Sequence, residues 1–431
     1  MAVAKSIEIH PEITCPHCWH RFPSEDVLWV SVSPSLRGDS RLGAQGQMRF
    51  LPSRFTLDGK AVDPEGSPCD ELACPRCHLF IPRALLEMNP FFVSIIGSPG
   101  SGKTYFLASM TYRLREVMPG WFGHSFTDSQ PDVNLILNQY EDQQFYNADR
   151  DAVIKLRKTG EVGDWYQTVT FPPNQPVTFP RPFFFSIRST RDQEATQSQD
   201  VFRPIQVEEK NQPSSHVLCL YDNAGESYLP GADDASAPVT RHIASAQSLL
   251  FLFDPTQVEK IRMSLQGKTE DPQVTSNLVT HKHETVLHEL TARVRRFTGL
   301  AENEKSDVPL IIVVTKFDAW CHLLNANTLP PACKNEGNGS VAQLDMETVM
   351  KVSGVVRKAL LHYSQEFISA AENFSSRVYY VPVSATGSAP EVNETNEMSG
   401  HRPRDIKPAW AEVPMLLALN LCCNNVVHAT E

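Results

Sequence analysis

Short, nearly unbroken apolar runs recur along most of the chain: Val93-Ser94-Ile95-Ile96, His216 to Tyr221, Leu249 to Phe253, Pro309 to Val314 and Val378 to Val383. Runs of this kind suit strands covered on both faces, as in a parallel sheet, better than the alternating pattern of a half-exposed antiparallel one. Between them the spacing changes to the helical period. Phe106, Leu107, Met110, Leu114 and Val117 share one face and predict a helix that stops at Pro119-Gly120, and Val286, Leu290, Val294 and Phe297 form a second stripe. Val133, Leu135, Ile136 and Tyr140 predict a further helix, and Met415 to Leu419 opens a last apolar one that packs in a core, since it is far too short to span a membrane. Pro182 to Arg188 reads as a strand that pairs with 216–221. Strands alternating with helices place the chain in the α/β class, with a mainly parallel six-stranded sheet flanked by helices.

The first 88 residues read differently. Leu28 to Val32 predicts a strand, Gly38 to Gly46 a loop, and Leu57-Asp58-Gly59-Lys60 a hairpin turn, a turn-rich pattern set apart from residues 89–431. Residues 388–408 are polar and contain proline, which predicts a flexible loop.

At 431 residues the chain is long enough for two or three domains. Its net charge of −11 argues against a surface that grips nucleic acid throughout. Without a long apolar run or a basic-then-apolar N-terminus, the expectation is a soluble cytoplasmic protein with no membrane contact. Four of its ten cysteines form two C-x-x-C pairs, Cys15-Pro16-His17-Cys18 and Cys74-Pro75-Arg76-Cys77. Each pair puts two thiolates on one tight turn, and two such knuckles close a tetrahedral S₄ site suited to Zn²⁺. The gap between the pairs is far longer than the usual ribbon spacing of about 15 to 20 residues, so the zinc ribbon carries a long insertion. Two unrelated C-x-x-C pairs are one competing reading and Cys69 in place of one ligand another; because the two pairs complete the site by themselves, Cys69, His17, His20 and His78 read as flanking residues. Arg37, Arg41, Arg49 and Arg54, interleaved with Phe50 and Phe55, can form a nucleic-acid face, although a solvated loop over a small core accounts for them as well.

The strand ending at Ile96 runs into Gly97-Ser98-Pro99-Gly100-Ser101-Gly102-Lys103-Thr104, followed by Tyr105. This is the G-x-x-x-x-G-K-[ST] phosphate loop in its required place between strand and helix. Glycines there let successive N–H groups turn inward around phosphate oxygens, Lys103 supplies a charge for the β- and γ-phosphates, and Thr104 offers a hydroxyl to Mg²⁺. The helix opening at Lys103 directs its positive dipole end at the same anion. Beyond the second apolar strand stands Asp222-Asn223-Ala224-Gly225, a D-x-x-G turn in which Asp222 can hold Mg²⁺ through a water and the Gly225 N–H can reach a γ-phosphate.

With Thr315-Lys316-Phe317-Asp318 and Ser384-Ala385 at two further strand ends, the order of motifs resembles GTPases of the translation-factor and Ras-like class. The resemblance implies a GTP and GDP site made of the phosphate loop, the second-switch D-x-x-G, the [NT]-K-x-D base motif and the S-A motif. The N-terminal ribbon joined to such a domain is also similar to bacterial conflict-system proteins of the double-GTPase type. Guanine chemistry fits the base motif: Asp318 can accept from N1–H and N2–H₂ together, the Lys316 stem can lie along the ring, and the Ala385 N–H can meet O6. Thr315 in place of the commoner Asn loses an amide that ties the base loop to the phosphate loop.

The chain also departs from that class. A long insertion separates the phosphate loop from Asp222, and the threonine that closes over Mg²⁺ is expected within it: Thr159 is the candidate, with Thr168, Thr170 and Thr178 as rivals. Arg150, Arg157 and Lys158 can serve as a charge-neutralising finger or be plainly solvated. Glu226 stands where a water-orienting Gln is common, which implies slow hydrolysis without a partner. The expected function is a slowly hydrolysing GTP switch that engages a protein partner or a second copy of itself. Alternatives are a scaffold that holds GTP without cleaving it, and a P-loop ATPase or nucleic-acid adaptor.

Overall fold

The computed structural model describes residues 9–157, 165–190, 215–223, 225–228, 241–275, 282–326, 328–335, 341–393 and 398–430. Its centre is a sheet of seven strands: β1 (Asn89–Gly97), β2 (His124–Asp128), β3 (Phe183–Ser189), β4 (His216–Asp222), β5 (Ser248–Phe253), β6 (Leu310–Val314) and β7 (Val378–Pro382). The spatial order is β2-β3-β4-β1-β5-β6-β7. Neighbours from β4 to β7 pair in parallel, with Phe91 opposite Leu218 and Ile95 opposite Leu250. β3 runs antiparallel to β4, and β2 antiparallel to β3. The expected six strands become seven because β2 adds an edge that the sequence reading missed. Its run, His124-Ser125-Phe126-Thr127-Asp128, carries a single large apolar residue and gives almost no periodic signal.

The sheet separates two cores by strict alternation. Val93, Ile95, Leu250, Leu252, Ile311 and Val313 face the core built on α1 (Lys103–Phe122), with α2 (Pro131–Phe145) beside it. Ile96, Leu249, Phe251, Phe253, Ile312 and Val314 face α3 (His283–Thr298), α4 (Met346–Tyr363) and α5 (Gln365–Phe374). The last helix, α6 (Val413–Cys422), is buried along Val413 to Leu419 in the α1 core, as the apolar pattern predicts.

Three helix and loop expectations are corrected. α1 continues through Pro119 and ends where Gly123, left-handed at φ 64°, returns its N–H to Met118; burial of Phe122 in the core carries the helix past the proline. In α3 the inward stripe uses Leu287, whereas Phe297 is 37% exposed. Within 388–408, Glu391–Val392 pairs with Met398–Gly400, and just outside it Ser384 bridges Ala409, so the segment expected as a loop holds a short hairpin between paired flanks. The backbone bonds between His401 and Ile154 fasten it further.

The N-terminal segment takes over where helices leave the second face uncovered. Leu218 and Leu220 of β4 face the α1 core, while Val217, Cys219 and Tyr221 point the other way. They pack there with Phe184 against Leu72, Ile81, Leu85 and the four knuckle cysteines. Leu28–Val30 pairs with Leu72–Ala73 and Arg49–Phe50 in a small antiparallel sheet. Gly38 to Gly46, expected as loop, lies within a hairpin of Arg37–Asp39 and Gly43–Gln47. The 57–60 turn is present, with Gly59 at φ 82° and Phe55 bridging Ala61. Among the described residues, no helix is long and apolar enough to cross a membrane.

Candidate nucleotide site and cysteine cluster

Four motifs meet at the carboxyl edge of β1, β4, β6 and β7, the place where open α/β sheets bind ligands. β1 ends at Gly97, and the loop that follows depends on its glycines. Gly100 and Gly102 have φ of 76° and 86°. Gly97 is required for space instead: a Cβ there would lie 2.8 Å from Ser101 Oγ and 3.0 Å from Leu252 Cβ. Gly102 caps α1, so the amino end of the helix, at Lys103 and Thr104, adjoins the loop. Lys103 folds back over it and donates to the carbonyls of Gly97 (2.9 Å) and Ser98 (3.3 Å). Ser101 Oγ is buried without a hydrogen-bond partner among the described residues, a donor that suits an anion's oxygen. Tyr105 is engaged elsewhere, since its hydroxyl accepts the Leu156 N–H and its ring meets His401 edge-on.

The D-x-x-G turn lies directly on this loop. Asp222, 4% exposed, ends β4, and Gly225 begins a 3₁₀ turn to Tyr228. A Cβ on Gly225 would stand 2.6 Å from the Pro99 nitrogen and 2.9 Å from both Gly97 O and Lys103 Nζ, so only glycine permits the approach. Arg293, almost wholly buried, donates to Ser227 O at 2.7 Å, and the buried Tyr228 hydroxyl reaches Ile95 O. Tyr140 of α2 lies close enough to Asp222 that burial, and then that carboxylate, push its phenol up to about 12. The Glu226 side chain, Thr159 and Lys158 fall outside the described residues. Thr168 and Thr178 bond each other across an exposed hairpin, and the Thr170 N–H bonds Arg41 O.

At the base motif the structure revises one expectation. The Thr315 hydroxyl donates to Ser101 O at 3.1 Å, so the tie between base loop and phosphate loop is kept by a different group. Asp318 accepts the Ser384 hydroxyl, which also receives the Gly387 N–H at 2.8 Å, joining the two base-side motifs. Burial raises the Asp318 carboxyl and the Ser384 bond opposes the shift. The Ala385 carbonyl is fixed by Ser109 of α1 at 2.7 Å. A cavity of about 420 Å³ opens beside Asp318 and Ser384, walled by Trp121, Lys407 and Trp410.

Lys316 holds a left-handed backbone, φ 55°, and its amine lies 3.0 Å from Asp254 Oδ2 and 3.3 Å from Asp271 Oδ2. Burial works to lower the ammonium's pKa, but Asp254 and Asp271 outweigh it and the net shift is upward. The same segment braces the phosphate loop from behind: Ser98 Oγ donates to Gln257 Oε1, Gln257 Nε2 to Pro99 O, and Gln273 Nε2 to Gly100 O. Asp254, Asp271, Gln257 and Gln273 escaped the sequence reading. Asp254 gave a faint signal by ending an apolar strand before a proline; the other three sit in plain polar stretches.

The cysteine cluster has the geometry of a metal centre. Cys15, Cys18, Cys74 and Cys77 are all buried, with their sulfurs within 4.8 Å of one another. Cys15 to Cys77 and Cys18 to Cys74 are each 3.7 Å. A tetrahedral site with Zn–S of about 2.3 Å sets sulfurs about 3.8 Å apart, so the donor set fits Zn²⁺. The two knuckles repeat each other: the His17 and Arg76 N–H groups point at Cys15 and Cys74 sulfur at 3.4 Å, and the residues after the second cysteines, Trp19 and His78, take φ of 54° and 61°. His17 meets the Phe80 and Pro180 carbonyls and His78 pairs with Asp39. Cys69 Sγ lies near Ser67 O.

The sequence matches no family profile and no curated protein. Among solved structures, the chain is similar to Sup35 complexed with GDP at 12% identity over 72% of this chain and 41% of that one, with a TM-score of 0.23. Sup35 complexed with GMPPNP gives 10% identity, the same coverage and 0.22. The signal recognition particle receptor SRb-GTP/SRX complex from Chaetomium thermophilum gives 13% identity over 70% of this chain and 93% of that one, at 0.24. The chain thus spans about two fifths of the Sup35 chains it overlaps. Overlaps this loose leave the function to be argued from the site, and none offers a counterpart to the likeness with conflict-system proteins.

Proposed function

We propose that the chain binds GTP and GDP with Mg²⁺, hydrolyses GTP slowly, and uses the difference between the two states to switch a partner-binding surface. The observation that carries this reading is the Thr315 bond to Ser101, which seats the base loop on the phosphate loop, as a single nucleotide spanning both would require. Asp318, held by Ser384, would then select guanine, because adenine lacks the paired donors and leaves the carboxylate unmatched. The phosphate loop from Gly97 to Thr104 would hold the phosphates, and Thr104 and Asp222 would hold Mg²⁺, which neutralises charge on the β- and γ-oxygens when bound. Gly225, against Lys103, would be the element that responds to the γ-phosphate. The four cysteines would hold Zn²⁺ as a structural site.

A titration of fluorescent GTP and ATP analogues, with and without Mg²⁺, tests the reading. Tighter GTP binding that depends on Mg²⁺ supports it, and preferred ATP binding ends it. Multiple-turnover phosphate release that disappears in Lys103→Ala separates a hydrolysing switch from a scaffold that only holds GTP.

A further inference from the structure

The Cys15–Cys18 knuckle touches the sheet on the strand that carries Asp222. Its Pro16 carbonyl accepts the hydroxyl of Tyr221, a fully buried side chain whose ring stacks on His242 with centroids 4.6 Å apart and planes 9° off parallel. His242 Nε2 lies 3.0 Å from Asn223 Nδ2. An amide nitrogen only donates, so Nε2 accepts and the ring proton sits on Nδ1, directed at Ser94 Oγ at 2.7 Å. Burial brings the His242 pKa down to about 3, which keeps the ring neutral and this tautomer fixed. An unbroken line of buried contacts therefore runs from the cysteine knuckle to Asn223 in the D-x-x-G turn, with a branch to Ser94 on the strand that leads into the phosphate loop. That turn in turn rests on the phosphate loop through Gly225.

We infer that metal loading at the four cysteines and nucleotide–Mg²⁺ binding at the phosphate loop are thermodynamically linked through Tyr221 and His242. The inference rests on the nucleotide reading above. The direction of the Pro16 carbonyl is set by a turn whose two flanking thiolates converge on one ion. When the turn relaxes, the buried Tyr221 hydroxyl loses its acceptor and the stacked pair must repack, which shifts the hydrogen bond that holds Asn223. Because linkage is reciprocal, nucleotide bound at the far end tightens the metal by the same factor.

Zinc affinity of the full chain is measured by competition with a chromogenic chelator, with and without Mg²⁺ and a fluorescent GMPPNP analogue. The expected result is zinc binding about tenfold tighter with nucleotide present. Tyr221→Phe keeps the ring and loses the hydroxyl; it should bind zinc and nucleotide, with the ratio falling to about one. Ser94→Ala, at the other end of His242, is the second variant should the first fail to fold, and it should reduce the ratio likewise. Nucleotide that binds without moving zinc affinity overturns the linkage, and a full ratio in both variants overturns the route. Failure of the zinc-loaded wild-type chain to bind the analogue at all overturns the nucleotide reading instead.

Discussion

The Thr315 hydroxyl donates to the Ser101 carbonyl at 3.1 Å and sits 3.3 Å from Phe253 O, so one small side chain stitches β6, β5 and the phosphate loop. Replacing it with the near-isosteric Val removes the donor and leaves a buried carbonyl unmatched, at a cost of about 1–3 kcal/mol. Thr315→Val should weaken binding of a fluorescent GTP analogue by about tenfold while preference over ATP stays. Loss of that preference as well would show that the tie shapes the base pocket and does more than join two loops.

Asp318→Asn tests base selection directly. An amide in place of the carboxylate presents a donor to the O2 of xanthine, so preference should move from guanine to xanthine nucleotides in a competition titration. On the proposed reading, guanine needs the ionised form of Asp318 in the wild type. Burial raises the Asp318 pKa, so GTP affinity should decline on acidification earlier than an ordinary carboxylate near 4 would cause, and should be full at neutral pH and above. A flat affinity down to that range would remove Asp318 from the base.

Gly225→Ala inserts a methyl 2.6 Å from the Pro99 nitrogen, against backbone that cannot move aside cheaply. Overpacking of this kind costs about 1–3 kcal/mol. The variant should keep its zinc content, melt at lower temperature, and release phosphate from GTP more slowly than wild type. Unchanged phosphate release would mean that the close contact is not used in turnover.

Lys316→Met leaves Asp254 and Asp271 facing one another without their cation. Breaking a buried ion pair from one side costs about 3–5 kcal/mol, near the low end here because Lys316 retains some exposure. The deficit should show as a lower urea midpoint at neutral pH with the slope of the transition unchanged. Adding Asp254→Asn should recover part of the loss at neutral pH.

Much of this chain was legible in local pattern. The parallel strands β1, β4, β5, β6 and β7 were visible because strands covered on both faces must be apolar throughout, and the phosphate loop because its glycines are needed for backbone angles and space that side chains forbid. The cysteine pairs were readable because thiolate geometry around one ion fixes their spacing; that the pairs meet despite a long insertion is a fact of the fold. What only tertiary structure decided are relations between residues remote in sequence: the β2 edge, Thr315 with Ser101, Lys316 with Asp254 and Asp271, and Tyr221 between Pro16 and His242. None of these leaves a periodic trace, because a hydrogen bond between distant loops constrains one side chain on each partner and nothing beside it. Strand and turn chemistry is written in neighbouring positions, whereas the partners of a buried polar group are chosen by how the layers pack.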